Sequence, residues 1–197
     1  KTDGPITVKV NFVLPTAADD ATAATSGIDY KIENNTIIIP AGDYLEGGVV
    51  EIPVSVFNDD TYEANEKVDL VLDELSIGTY AQRTHVLNIN DDDEIGATIN
   101  INDNLTSEDG ETGSFSIVLN SKPTADVTID LSSDNIDEGS IAINSISFTP
   151  SSWNQPKTIV VTGVDDNPAV GDGAVDYLIV TGNVTSDDPN YDGLDGS

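Results

Sequence analysis

The feature that most limits the fold of this sequence is the alternation of apolar and polar residues in short runs. Ile6–Val13 and Lys67–Leu72 place apolar side chains at every second position, which is the period of a half-buried strand. No stretch carries apolar residues at i, i+3, i+4 and i+7 over three turns. Runs recur roughly every 8 to 15 residues between Gly, Pro, Asn and Asp, a spacing typical of β-sandwiches. The sequence therefore predicts an all-β protein.

Eleven runs are predicted as strands: 6–13, 36–40, 49–57, 67–72, 84–89, 97–101, 113–119, 126–131, 141–148, 157–162 and 175–180. The two halves of the chain are loosely similar, because Val56–Asp60 and Gly163–Asp166 both take a strand into an Asp-Asp turn. The offset of about 106 residues is the size of one sandwich domain. We predict two antiparallel β-sandwiches in tandem, 1–93 and 94–197.

The composition is strongly acidic, with 36 Asp and Glu residues against 7 Lys and Arg and a formal net charge of −29. Nucleic acids and anionic membrane surfaces need a basic surface, so we expect neither as a partner. Disorder is disfavoured because 38% of the residues are hydrophobic and stand in patterned runs. Most of the acids are Asp, which favours turns and whose short side chain suits oxygen cages for hard cations.

The chain has no cysteine, so disulfides and thiolate metal sites are excluded. An Asp-rich chain without disulfides fits a bacterial surface protein in which calcium does the cross-linking, and we expect an extracellular or cell-surface location. No apolar run approaches the ~20 residues of a membrane span, and no signal peptide is visible. We interpret Lys1 as the start of a fragment.

Three acidic clusters stand at the ends of predicted strands: Asp91–Glu94, Asn58–Glu66 and Asp165–Asp172. Carboxylates on consecutive residues repel one another at a few ångströms. Such a run is either a solvated acidic turn or part of a cation site, and each cluster alone allows both interpretations. Calcium takes six to eight oxygens, mostly from carboxylates and carbonyls. The recurrence of the clusters in both halves favours calcium binding, with one calcium site at Asp91–Glu94, the seam where the two predicted domains meet.

The first half resembles the Calx-β family. Val56–Glu66 carries a strand ending in Asp-Asp, an aromatic residue and then Glu-x-x-Glu; Gly27–Tyr30 is similar to the family's Gly-x-Asp-Tyr, and Asn88–Asp93 to its closing Asp triplet. The family is a seven-stranded, immunoglobulin-like sandwich that binds calcium at one end, and occurs in sodium–calcium exchangers, an integrin β subunit and bacterial surface proteins. The resemblance implies these calcium ligands: Asp20, Asp59, Glu63, Glu66, Asp91, Asp92 and Asp93.

The second half resembles a divergent Calx-β-like repeat of bacterial adhesins through Ser107–Gly110, Thr149–Pro156 and Asp187–Asp195. The resemblance implies an immunoglobulin-like fold here too, with the ligands Glu108, Asp165, Asp166 and Asp172. The Glu-x-x-Glu element is missing, so we expect fewer calcium ions than in the first half. Separately, the spacing of Asp188, Asn190, Asp192 and Gly193 is similar to the start of an EF-type calcium loop, which makes Asp188 and Asp192 candidate ligands.

Catalysis is not expected, because the only histidine, His85, lies in an alternating strand where an ordinary sheet role is favoured. A Ser-His-Asp arrangement would depend on that residue alone. The carboxylates stand in clusters with cation spacing and without an aromatic-rich sugar cleft. Trp153, the sole Trp, is predicted to anchor the core or its edge.

We therefore expect a calcium-binding structural module of a long extracellular protein, a spacer or adhesive stalk that calcium rigidifies at the domain ends and at the seam. A carbohydrate- or protein-binding module, or a calcium-sensing regulatory pair, are the alternatives. The expected partners are calcium ions, neighbouring domains or subunits of the same array, and surface glycans or proteins.

Relative to the family, the first half lacks its first strand and the second its last. Strand addition by neighbours, giving filaments, is one expectation from this.

Overall fold

The computed structural model describes residues 5–13, 30–32, 36–39, 51–73, 84–165 and 173–195. These residues form thirteen strands: β1 (Ile6–Val13), β2 (Tyr30–Ile32), β3 (Thr36–Ile39), β4 (Val54–Val56), β5 (Glu66–Asp73), β6 (Thr84–Ile89), β7 (Ala97–Asp103), β8 (Thr112–Leu119), β9 (Val127–Ser133), β10 (Gly139–Ile141), β11 (Ser145–Phe148), β12 (Lys157–Gly163) and β13 (Ile179–Ser186). All strand pairs are antiparallel. None of the described residues is helical, so this part of the chain offers no helix that could cross a membrane. The all-β prediction is confirmed.

The chain forms two compact units, one comprising Lys1–Asp59 and Glu63–Asp91 and the other Asp60–Tyr62 and Asp92–Ser197. The first unit contains a four-stranded sheet in the order β3-β1-β5-β6 and a pair of strands, β2 and β4. Its core joins both sheets, because buried Tyr30 of β2 and Val68 of β5 cluster together. Val54 and Leu87 pack against that cluster.

The second unit has two sheets, in the orders β10-β12-β8-β7 and β11-β9-β13. Its core takes buried side chains from both: Ile117, Leu119, Val127, Ile129, Leu131, Ile146, Phe148, Ile159, Val184 and Tyr191. Burial alternates along β9 and β12, so each strand turns one face inward, as its sequence pattern predicts. The two sheets therefore pack face to face, as in a β-sandwich. Trp153 packs against this core, which confirms its predicted role as an anchor.

The last strand does not lie where the sequence predicts it. The predicted strand was 175–180, whereas β13 begins at Ile179 and runs to Ser186. The backbone directly before it is bound instead to the residue that follows β9, since Leu178 N donates to Asp134 Oδ1 at 2.7 Å and Asp134 N donates to Leu178 O at 3.0 Å. A β-bulge between Thr181 and Val184 accommodates Gly182 and Asn183 within the strand.

Two further predicted strands are shortened or divided. The predicted strand 49–57 is limited among the described residues to β4, which begins directly after Pro53. Proline has no N–H to donate to a ladder, so a strand end at this position is expected. The run 141–148 is divided into β10 and β11, which belong to different sheets. β2 was not predicted as a strand at all.

Tyr191 links the last turn of the second unit to the segment after β8. Its hydroxyl donates to Ser121 O at 2.7 Å and lies 2.9 Å from Ser121 Oγ, and both residues are buried. Replacing Tyr191 by Phe leaves these buried Ser121 groups without a partner. A buried polar group that loses its hydrogen bond costs about 1–3 kcal/mol.

We expect Tyr191→Phe to lower the free energy of unfolding by about 1.5 kcal/mol in urea titrations. Tyr62→Phe, at a half-buried position, is the matched control and is expected to change it by less than about 0.5 kcal/mol. Equal effects of the two substitutions would contradict a specific role of the Tyr191 hydroxyl.

Candidate metal centre

Pairing between β5 and β6 brings two predicted acidic segments together. The strands are antiparallel, and Glu66 at the start of β5 is opposite Ile89 at the end of β6. The residues that precede β5 therefore lie beside those that follow β6. The observed register also places the apolar faces of both strands on the same side of the sheet, as alternation requires.

Hydrogen bonds fix Asp91 against the segment before β5. The backbone amide of Glu63 donates to Asp91 Oδ2 at 3.0 Å. The backbone amide of Asp91 donates to the side-chain oxygen of Asn65 at 3.0 Å. The orientation of the Asp91 carboxylate is thus held by the fold, with its other oxygen left for a further interaction.

Asp91, Asp92 and Asp93 each place one carboxylate oxygen within 4.8 Å of the other two. Asp91 and Asp93 are half-buried, and Asp92 is exposed. Two unit charges 4 Å apart repel by about 1 kcal/mol in water and by more where the dielectric constant is lower. A divalent cation would reverse this repulsion. Among the residues that the structure describes, this is the only group of three or more His, Cys, Asp or Glu with metal-ligand spacing.

The chemistry of this group fits calcium better than a transition metal. All three donors are carboxylate oxygens, which hard cations prefer, and neither imidazole nor thiolate takes part. Three carboxylates supply three to six of the six to eight oxygens that calcium takes, with water or carbonyl oxygens completing the sphere. The half-exposed position leaves room for such waters.

The other ligands predicted for the first half do not belong to this group. Asp59 and Glu63 are exposed, and Glu66 is half-buried at the start of β5. Glu63 reaches the group through its backbone amide, which binds Asp91. Their roles as calcium ligands remain predictions. Asp20 lies outside the described residues.

The predicted ligands Glu108 and Asp165 lie in neighbouring segments of the second unit. Glu108 is in the turn from Ser107 to Gly110, in which Gly110 N donates to Ser107 O at 2.9 Å. The backbone of Ser107 packs so closely on Gly163 that a Cβ at residue 163 would clash with Ser107 O. Asp165 follows two residues later. Both acids are exposed, and Asp166 and Asp172 lie outside the described residues.

Asp188 has a structural role in the loop that follows β13. Its side chain is 1% exposed. Asp188 Oδ2 accepts a hydrogen bond from Thr124 N at 2.7 Å, and Oδ1 accepts one from Asn190 N at 2.9 Å. Asp192 likewise uses its carboxylate on the backbone, since its Oδ1 accepts from Ser186 N at 3.2 Å. Their prediction as calcium ligands is untested, but these amides already supply partial positive charge.

Two opposing effects determine the pKa of Asp188. Burial raises the pKa, whereas hydrogen bonds from the Thr124 and Asn190 amides and from the Thr124 side chain lower it. The hydrogen bonds together outweigh burial, and the pKa lies below the ordinary Asp value. The carboxylate is therefore charged at neutral pH without a cation.

Sequence reasoning missed the residues that hold these carboxylates in place. Asn65 binds the Asp91 amide, and the amides of Glu63 and Thr124 bind Asp91 and Asp188. A backbone donor has no side-chain signature, so Thr124 gave no signal. Asn65 was visible inside the Glu-x-x-Glu element, and its amide side chain next to a turn was the available clue.

A scan of the sequence against protein-family models finds no match, and a search of curated proteins finds none. The Calx-β resemblance therefore rests on the motifs quoted above.

Proposed function

We propose that this protein is a calcium-binding structural module, in which calcium bound at Asp91–Asp93 stiffens the chain where β6 ends. The observation that carries the proposal is the set of three carboxylate oxygens within 4.8 Å of one another. One of these carboxylates is already oriented by the Glu63 amide. A solvated acidic turn has no need of such positioning, whereas a cation site gains from it.

The net charge of −29 supports the same proposal. A compact chain with that charge repels itself, and counter-ions that bind the folded state offset the repulsion. Calcium binding at specific carboxylates is more effective than general screening, because buried and half-buried pairs are screened little by salt.

The ligands in this proposal are Asp91, Asp92 and Asp93, and the chain's own part is to orient them. The Glu63 amide and Asn65 side chain hold Asp91 in place. Bound calcium would supply the positive charge that allows three carboxylates to stay close, and so restrict the backbone of 91–93. In the proposed pair of tandem immunoglobulin-like, Calx-β-type sandwiches, residues 91–93 belong to the segment that connects the two domains. The protein then serves as an extracellular spacer or adhesive stalk.

Calorimetric titration tests the proposal and separates a structural module from a calcium sensor. A structural module saturates at extracellular calcium, with a dissociation constant of roughly 10⁻⁴–10⁻³ M, whereas a sensor binds at about 10⁻⁷–10⁻⁵ M. We expect the weaker range, and loss of one site when Asp91 and Asp93 are both replaced by Asn.

The matched control is the pair Asp126→Asn and Asp130→Asn, which makes the same charge change at exposed positions. Equal loss of calcium binding in both variants would mean that binding depends only on the net charge of the chain. Absence of any heat of binding at millimolar calcium would refute the proposal.

A further inference from the structure

Four Asp-Gly dipeptides stand in the sequence, at 109–110, 172–173, 192–193 and 195–196. Such a dipeptide is open to ring closure, because glycine has no side chain to keep its backbone nitrogen away from the aspartate carboxyl. The structure describes both residues of two of them, 109–110 and 192–193. Both lie in the second unit, so they can be compared within one fold.

The reaction available to an Asp-Gly dipeptide is the formation of a succinimide. The glycine nitrogen attacks Cγ of the aspartate side chain and forms a new C–N bond. One carboxyl oxygen leaves as water and takes the amide proton and the carboxyl proton with it. Water then opens the ring at either carbonyl. One opening restores aspartate, and the other gives isoaspartate, in which the main chain runs through the side-chain carbons.

The two dipeptides are alike in backbone conformation and in exposure. Gly110 has a φ of +84° and Gly193 a φ of +75°, and a Cβ added to either would meet nothing within 4 Å. Asp109 and Asp192 are both exposed, as are the two glycines. Steric access to the reacting atoms therefore does not distinguish the two sites.

Hydrogen bonds to β13 hold both reacting groups of the second dipeptide. The Gly193 amide donates to Val184 O at 2.9 Å, and Asp192 Oδ1 accepts from Ser186 N at 3.2 Å. The next residue, Leu194, packs against the hydrophobic core. The nitrogen and the carboxylate are thus each bound to a strand, and ring closure requires that both are released from it.

The first dipeptide is held by its own turn alone. The Gly110 amide donates to Ser107 O at 2.9 Å, three residues earlier in the chain. Neither Asp109 nor Gly110 belongs to a strand, and within the described part of the chain the Asp109 carboxylate accepts no hydrogen bond. Opening this turn breaks one hydrogen bond in an exposed segment and leaves the strand pairing intact.

We propose that Asp109 is a site of spontaneous isoaspartate formation in the folded protein, and that the hydrogen bonds to β13 protect Asp192 from the same reaction. The proposal needs no reactant besides water. It does not depend on calcium, so its failure and the failure of the proposed function are separate outcomes.

Isoaspartate at residue 109 would alter a close contact between two segments of the second unit. The product has one more main-chain atom between residues 109 and 110, which lengthens the ring closed by the bond from Gly110 to Ser107. The backbone of Ser107 packs on Gly163, and Gly163 N donates to Glu111 O at 3.2 Å. The modification therefore reaches the end of β12.

Peptide mapping of the full chain tests the proposal, with fragmentation that distinguishes isoaspartate from aspartate. The chain is incubated at physiological temperature and pH, folded or in urea. In the folded chain we expect isoaspartate to accumulate about tenfold faster at residue 109 than at residue 192, or faster still. In urea the two rates should agree within about threefold, because the hydrogen bonds of the fold are gone.

Asp109→Glu is the matched variant, because it keeps the charge at this exposed position but would have to close a six-membered ring. It should abolish isomer formation at residue 109 and leave residue 192 unchanged. Hydrogen exchange gives a second readout that does not involve the reaction. We expect the Gly110 amide to exchange about tenfold faster than the Gly193 amide, or faster still.

Equal accumulation at the two residues in the folded chain would overturn the proposal, and so would faster accumulation at residue 192. Absence of isoaspartate at residue 109 of the folded chain, over a period in which the chain in urea forms it, would overturn it as well. The turn would then be as protective as the bonds to β13. Equal exchange of the two glycine amides would refute the assigned cause.

Discussion

Replacing Asp188 by Ala is expected to lower the free energy of unfolding of the second unit by about 3 kcal/mol. The carboxylate is 1% exposed and accepts hydrogen bonds from the backbone amides of Thr124 and Asn190. Alanine leaves both donors without this acceptor, and bonds to a charged acceptor are about twice as strong as neutral ones. Urea unfolding followed by the fluorescence of Trp153, which packs on the same core, measures the loss.

Asp187→Ala is the matched control, because Asp187 is the exposed neighbour and carries the same charge. Removing one negative charge from a chain of −29 should by itself be neutral or slightly stabilising. A fall in stability at Asp188 but not at Asp187 assigns the effect to the hydrogen bonds. If both variants unfold at the same urea concentration, the buried carboxylate does not stabilise the loop.

The pH dependence gives a second readout of the same carboxylate. The pKa of Asp188 is lowered in the folded protein, so the folded state favours the charged form more than the unfolded chain does. Its contribution to stability is full above the unfolded value of about 3.9 and is lost as pH falls through the folded pKa.

Asp188→Asn has no such titration. The difference in unfolding free energy between the native chain and Asp188→Asn should therefore be constant from neutral pH to about 5 and shrink below about 4. Comparing the two chains cancels the titration of the other acids. A difference that stays constant down to about pH 2 would contradict the lowered pKa.

Strands with clean alternation were predictable: β1 and β6 have their predicted bounds, and β12 extends one residue beyond its predicted end. In β12 every second residue is buried, and a shift of register by one residue would expose that apolar face. β13 was predicted several residues too early, because the apolar residues Val175 and Leu178 precede it. These two side chains are 42% and 67% exposed, so their apolar character does not mark a buried strand. The hydrogen bonds between Leu178 and Asp134, which the sequence does not reveal, precede the first residue of β13 that pairs with β9.

The acidic residues show where sequence reasoning about a site ends. Asp91–Asp93 form a compact group, and their adjacency in the chain made that predictable. Asp188 belongs to an equally suggestive pattern, yet its oxygens bind backbone amides. The Asp91–Asp93 group and Asp188 both lie in acidic segments shortly after the end of a strand. The difference depends on which distant amides approach them, and that is a property of the fold.

Calcium at about a hundredfold excess over its dissociation constant is expected to raise the free energy of unfolding by about 2.7 kcal/mol, as one site on the folded state requires. The triple variant Asp91→Asn, Asp92→Asn, Asp93→Asn should reverse the order of stability. Without calcium it should be more stable than the native chain, because three repelling charges are gone. With calcium it should be less stable, because it gains nothing from the ion. Urea unfolding in chelator and in calcium measures both.

The reversal depends on position as well as on charge. A control with Asp126→Asn, Asp130→Asn and Asp137→Asn also removes three negative charges, but at exposed positions outside the group. It should retain the full calcium-dependent increase in the free energy of unfolding. Asparagine keeps an oxygen that can accept from the Glu63 amide, so the local fold around residue 91 is preserved in the test variant. If the control loses its response as well, calcium acts through net charge alone. If neither chain responds to calcium, the clustered carboxylates are a solvated acidic turn.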